Sequence, residues 1–297
     1  MKIQIMKIQN KHKYAAITLT TIVMLFCILF YSCDIIEAPY RKSDGGFVVT
    51  DTLKPKILLE EFTASRCQNC PAGARIAHSL ENYYPDRFYV VAIHGGTNAV
   101  PYTTGDKYRY DFRTNMGREM YTTHNIDQFG TPSGKINRVS HQGSILIYPN
   151  FWQSAVIDFL ENTSSAAVKI DIEANYSEAS KVIEVIIDLD YRSPQITENK
   201  ISVWILEDNI VNWQLDGAVD IPDYVHNNVL RYSFNGTWGE KVSETAIATG
   251  FQFNKTYSYI LPQNSDWVPK NLKVIAFVYD DDNGVKQVEQ VKLQVNN

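Results

Sequence analysis

Two thiols spaced three apart, Cys67 and Cys70, are the residues of this chain best placed for covalent chemistry. Such a pair can close a small disulfide, so that one sulfur attacks a partner and the other resolves the mixed disulfide. They sit in the stretch KILLEEFTASRCQNCP, residues 56–71. A β-rich run over 57–62 leads to Cys67, and 72–84 reads as a helix that can bury Ala74, Ala77, His78, Leu80 and Tyr83. A helix N-terminus carries unpaired N–H groups and partial positive charge, which stabilise a thiolate. Arg66, beside Cys67, favours the thiolate in the same way. Alternation along the strand sends Glu60 and Glu61 to opposite faces, and either could accept a proton behind a resolving Cys70.

The elements that must hold this pair follow in order. A second apolar strand spans 88–94, and a long connection over 95–128 opens on Gly95-Gly96-Thr97-Asn98 turn chemistry. Within it, 106–123 reads as a helix capped by Thr104 or Asp106. After Thr131-Pro132 come short strands at 134–139 and 144–148, then a closing helix at 150–161. From 164 the pattern alternates. Strands are expected at 168–172, 182–191, 201–207, 229–234, 256–261 and 272–279, with Asp281-Asp282-Asn283-Gly284 turning into a final strand. Seven or more strands with turn signals suggest an antiparallel β-sandwich.

The order strand, Cys-x-x-Cys, helix, strand, Thr-Pro, strand resembles the thioredoxin fold over about residues 53–162. That resemblance implies a cis peptide bond at Thr131-Pro132, facing Cys67 and Cys70 and orienting a substrate backbone. Gln68-Asn69 replaces the common Gly-Pro between the cysteines. Three longer motifs, EEFTASRCQNCPAG, FGTPSGKINR and YVHNNVLRYSFNGTWGE, are similar to the twenty-eight-kilodalton outer-membrane lipoprotein family of Bacteroidetes-type bacteria. Membership implies a thioredoxin-like domain joined to a β-rich C-terminal part, in a protein of the cell envelope; with the strand pattern, the fold expected is an α/β thioredoxin-like domain followed by an all-β antiparallel sandwich. The divisions expected are a signal peptide over 1–32, a tether over 33–52, a thioredoxin-like domain over 53–163 and a β-sandwich over 164–297.

Charge narrows the partners. The formal net charge is -5, and loss of the four lysines in the first 32 residues would leave 24 basic against 33 acidic residues. So acidic a surface argues against nucleic acid and against electrostatic binding to anionic lipid. No cofactor or resident metal is expected. Asp280 to Asn283 miss the spacing of a helix-loop calcium site and read as a polar turn. His94 ends a strand near the pair and would complete a soft copper site with Cys67 and Cys70. A lone histidine there is more often a loop residue. His226-Asn227-Asn228 reads as local hydrogen bonding, and His124 and His141 form no recognisable triad.

Three functions are therefore weighed. The first is a thiol–disulfide oxidoreductase that exchanges with envelope protein thiols and disulfides, with Cys67 attacking, Cys70 resolving and Thr131-Pro132 as the wall. The second is a non-catalytic binding or adhesion lipoprotein with a structural Cys67–Cys70 disulfide. The third is a copper carrier.

The N-terminus supplies the anchor. Lys2, Lys7, Lys11 and Lys13 precede an uncharged apolar run over 15–31, the layout of an export signal. The run ends at Phe30-Tyr31-Ser32-Cys33, which resembles a bacterial lipoprotein box with Cys33 lipidated and the membrane as partner through that lipid. The alternative is an uncleaved spanning helix. Cys33→Ser should abolish labelling by a fatty-acid probe and leave an uncleaved precursor; equal labelling of the mutant would refute the lipid anchor.

Overall fold

The computed structural model describes residues 53–296; the expected signal over 1–32, Cys33 and the tether over 33–52 lie outside the described residues. All seven residues of β1 (Ile57–Thr63) are buried, which requires a neighbour on each edge and a layer on each face. β2 (Phe88–His94) runs parallel to it, from Ile57 opposite Phe88 to Thr63 opposite His94. α1 (Cys70–Tyr83) makes the crossover, and β3 (Ser133–Ile136) pairs antiparallel on the other edge. One face packs Ile57, Leu59 and Val90 against Ala77 and Leu80 of α1. Trp152 and Val156, from a helix nearer the middle of the chain, close that layer. The other face packs Leu58, Phe62, Val91 and Ile93 against Met116, Met120 and Tyr121.

Those last three lie on α2 (Asn115–Thr123), which is shorter than the helix expected over 106–123. Tyr108 has φ +54°, and Thr114 is the cap, accepting a hydrogen bond of 2.9 Å from the Gly117 N–H. After the short α3 (Ile126–Phe129) and β3, Asn137 and Arg138 adopt φ of +48° and +55° and end the strand. The strand expected at 144–148 is reduced to bridges such as Gly134 to Ile147. α4 (Trp152–Asn162) closes this part.

The remaining strands are β4 (Val168–Ser177), β5 (Val182–Tyr191), β6 (Lys200–Glu207), β7 (Ile210–Asp216), β8 (Val219–His226), β9 (Val229–Ser233), β10 (Glu240–Lys241), β11 (Gln252–Ile260), β12 (Leu272–Asp280), β13 (Gly284–Lys292) and β14 (Gln294–Asn296). A four-stranded sheet, β11-β5-β4-β14, faces β6 and β12 across a core that includes Ile170, Val185, Ile187, Val203, Ile205 and Val274. Two facing sheets are thus present, but they do not form a separate domain. The larger sheet runs β13-β12-β6-β9-β2-β1-β3, with β10 beside β6, so strands from both halves of the chain share it. The expected division at 163/164 does not fall between sheets, and the described residues pack as one unit. The fold is a mostly-β, mixed α/β structure.

The seam has a physical basis. β2 meets β9 in parallel at one pair, Ala92 and Val229. Beneath it, Phe62 and Ile93 share a core with Trp204, Leu206, Leu230 and Phe277. A fragment over 53–163 would expose that face and leave β2 an open edge. It should unfold without cooperativity in urea, whereas 53–297 should give one sharp transition; a sharp transition in the fragment would show that the seam is dispensable.

Candidate functional site: a covered cysteine pair beside a polar cavity

Cys70 is the first residue of α1 and Pro71 follows, where the missing N–H costs nothing. The first turn carries no acidic residue to neutralise the helix end. Cys67 and Cys70 are joined as a disulfide with Cα atoms 5.4 Å apart. Thr131-Pro132 is cis, and Cys67 Sγ lies 3.5 Å from the Thr131 carbonyl oxygen. α1 presses on this loop so closely that a Cβ on Gly73 would meet Pro132 Cβ at 2.9 Å. The predicted residues Cys67, Cys70, Thr131 and Pro132 therefore come together.

Two segments cover them. Ala99, only 2 % exposed, clusters with Ala64, Cys67 and Cys70. The strap over 97–102 is held by Arg66, whose guanidinium donates to the carbonyls of Thr97 (2.7 Å) and Val100 (2.9 Å) and lies over the Tyr102 ring. Arg66 was expected to support a Cys67 thiolate; instead its charge is engaged by the strap. The second cover is the β7–β8 hairpin, which the sequence reading left out. Leu215 N–H donates to Ser65 O (2.9 Å), Gly217 N–H to Gln68 O (2.8 Å), and Gln214 Nε2 to the Ala64 and Cys67 carbonyls (both 3.3 Å). Arg75 of α1 pairs with Asp216 at 2.9 Å. Under these covers Cys67 is 4 % exposed and Cys70 2 %.

Glu60 and Glu61 do point to opposite faces. Burial would raise the Glu60 carboxyl, but Arg138 and Lys135 overcome it and hold the group at about 2. Arg138 grips Glu60 with two hydrogen bonds, of 2.9 and 2.7 Å. Glu61 has no such partner. It is 3 % exposed, its Oε1 makes no hydrogen bond, and burial, with the Glu81 carboxyl adding to it, pushes it up to about 8. Glu61 lines a cavity of about 480 Å³ between α1, the sheet and β8. Cys70, Glu81, His94, Tyr224 and His226 also line it.

His94 stacks on Phe112 (4.6 Å between ring centres) and meets His226 edge-on at 5.8 Å. Burial keeps both imidazoles neutral, His94 well below the usual range and His226 at about 4. Among the described residues no group of three or more His, Cys, Asp or Glu is placed to hold a metal ion, so the copper reading lacks a ligand set. The bonding expected to be local is not: Asn227 accepts from the Asn209 N–H (2.9 Å), and the Asn228 side chain donates to Glu81 (3.1 Å) and accepts from Lys273 across the fold. Asp280 binds Thr197, Lys286 and the Asp282 N–H, the chemistry of a hairpin turn. His141 stands 3.0 Å from both Ser154 Oγ and Asp158, a contact the sequence did not reveal. Ser154 and Asp158 are one turn apart on α4 and Ser154 also bonds Phe151 O (2.9 Å), so the group ties a loop to the helix.

The unpaired Glu61 has a signed consequence for stability. Its folded carboxyl holds a proton up to about 8, whereas the unfolded one releases it near 4.5. Between those values the native state binds more protons, so this group lowers stability as pH rises. Glu61→Gln should therefore gain on the parent protein at pH ~8 and gain little at pH ~5 in urea denaturation; an equal shift at both would show that Glu61 is not protonated in the fold.

The comparisons agree with two of the three motifs, FGTPSGKINR and YVHNNVLRYSFNGTWGE. Residues 119–297 match the family of outer membrane protein Omp28, a span that begins after the cysteine pair. No curated protein matches. Among solved structures, HBP35 of Porphyromonas gingivalis superposes with a TM-score of 0.58 at 17 % identity, over 82 % of this chain and 76 % of that one. That is a likeness of fold. A domain of the outer membrane lipoprotein Omp28 from Porphyromonas gingivalis aligns at 23 % identity and a TM-score of 0.32, over 44 % of this chain and 92 % of that one. The chain belongs to the Omp28 family, and its place is the outer membrane of the cell envelope.

Proposed function

We propose that this protein is a thiol–disulfide exchange protein of the envelope, thioredoxin-like in its site and held to the membrane by a lipid on Cys33. Cys67 is the attacking thiolate, stabilised by the N-terminus of α1, and Cys70 is the resolving sulfur. The cis Thr131-Pro132 loop is the wall against which a substrate backbone lies. The exchange partners are thiols and disulfides of envelope proteins.

The observation that carries this reading is Glu61. A structural disulfide gains nothing from a buried, unpaired carboxyl, which costs stability at neutral pH. An exchanging pair needs one, because Cys70 must gain and lose a proton away from bulk water. Perturbed carboxyls of this kind concentrate at working sites. One observation favours the alternative, an adhesion-type lipoprotein with an inert disulfide: both sulfurs are covered. Exchange with a protein therefore requires the strap over 97–102 to lift, and Arg66 is its clasp.

The two readings diverge in kinetics. Glu61→Gln should slow exchange by about a hundredfold near neutral pH. Arg66→Ala should speed alkylation of the reduced Cys67 severalfold, because the strap loses two hydrogen bonds. Stopped-flow exchange and timed alkylation measure both; a pair that resists native-state reduction, with neither variant altering it, is structural.

A further inference from the structure

The cavity beside α1 touches Cys70 but not Cys67. Its floor is one face of the parallel strands β1 and β2, formed by Glu61, Thr63, Val90, Ala92 and His94. Three polar side chains more than nine-tenths buried belong to its lining, Glu61, His94 and His226, and each carries one polar atom without a protein partner. Buried polar atoms are normally paired, and each orphan costs free energy. Three such side chains at one cavity give it a polar wall beside Cys70.

The lining also states what can enter. The imidazoles are neutral and Glu61 holds its proton at neutral pH, so the buried part offers donors and acceptors without net charge. At the rim, Arg75 is already paired with Asp216. About 480 Å³ is the room a small metabolite needs, and a folded protein does not fit it. Meanwhile Cys67 faces the strap and the cis-proline loop. The two sulfurs thus have different approaches.

We propose that the cavity admits a low-molecular-weight thiol, of amino-acid to short-peptide size, which reduces the disulfide by attack on Cys70. The inference rests on the redox reading above and adds its reductant. The incoming thiolate forms a bond to Cys70 Sγ while the Cys67–Cys70 bond breaks, and Cys67 leaves as a thiolate at the N-terminus of α1. A second small thiolate attacks the sulfur of the first and releases Cys70, which takes the Glu61 proton. Two thiols are oxidised to one small disulfide, the protein disulfide becomes a dithiol, and the protons shed by the reductants restore Glu61 and balance Cys67. The dithiol then serves protein disulfides from the Cys67 side.

The test reduces the oxidised full chain with cysteine, with glutathione and, separately, with a reduced protein dithiol, following free thiols by timed alkylation and mass spectrometry. Ala74→Phe and Val225→Trp narrow the cavity from opposite walls, at positions already partly exposed. Each should lower the ratio of the cysteine rate to the protein-dithiol rate about tenfold. Cystine should form a mixed disulfide on Cys70 of Cys67→Ser about tenfold faster than on Cys67 of Cys70→Ser. Unchanged ratios in both filled variants, or an adduct that forms at least as fast on Cys67, overturn the inference while leaving the redox reading intact. A native pair that neither small thiols nor the protein dithiol can reduce overturns both.

Discussion

Two adjacent carboxyl groups on a strand with no exposed residue are the constraint that the rest of this molecule answers. Neither can be left charged and alone in such surroundings. Glu60 is met by opposite charge. Lys135 comes from β3 and Arg138 from the turn after it, so pairing β3 to β1 delivers both cations. Arg138 also stacks over Tyr279 and Phe277 of β12, so a single guanidinium joins three strands. Glu61 receives no cation and keeps its proton. One face of β1 is therefore sealed by ion pairs, and the other keeps a polar hollow beside the disulfide.

The same division explains why the chain does not separate into two domains. The ion cluster and the aromatic core around Trp204 and Phe277 hold β6, β9 and β12 in one sheet with β1 and β2. The hairpin that leaves this sheet between β6 and β9 crosses to the opposite face and lies along the loop over 64–68. Cysteine chemistry and β-rich scaffold are thus parts of one construction. The scaffold supplies one wall of the cavity and half of the cover over the pair.

Local patterns in the sequence were enough for the elements that carry the chemistry. β2 falls at 88–94 as expected, and the helix after the cysteines begins two residues earlier than the apolar spacing suggests. Long-range pairing was not legible, because alternation in β9 says which face is buried and not which strand lies alongside. The hairpin was missed for another reason. Val211, Val219 and Val225 are exposed and Pro222 interrupts β8, so the run lacks the alternation of a half-buried strand. Its signal was the Asp216-Gly217 pair, with Gly217 at φ +59° in the turn. The expected helix over 106–123 failed where Asp111 turns its carboxylate back onto the Arg113 N–H, a local bond that competes with helix. The neutral imidazoles could not be foreseen, since their state is set by burial that only the assembled fold creates.

The cover over the cysteines also imposes an order on biogenesis. Gln214 reaches the Ala64 and Cys67 carbonyls across sequence separations of 150 and 147 residues. A chain that emerges N-terminus first presents both thiols long before the hairpin that shields them exists. During that interval the pair meets oxidants and other thiols without strap, wall or cavity to select among them. Contacts so distant in sequence also close slowly, which lengthens the exposure. The nascent protein is thus open to its surroundings, and the cysteine pair is covered only when the last third of the chain has folded back onto the first.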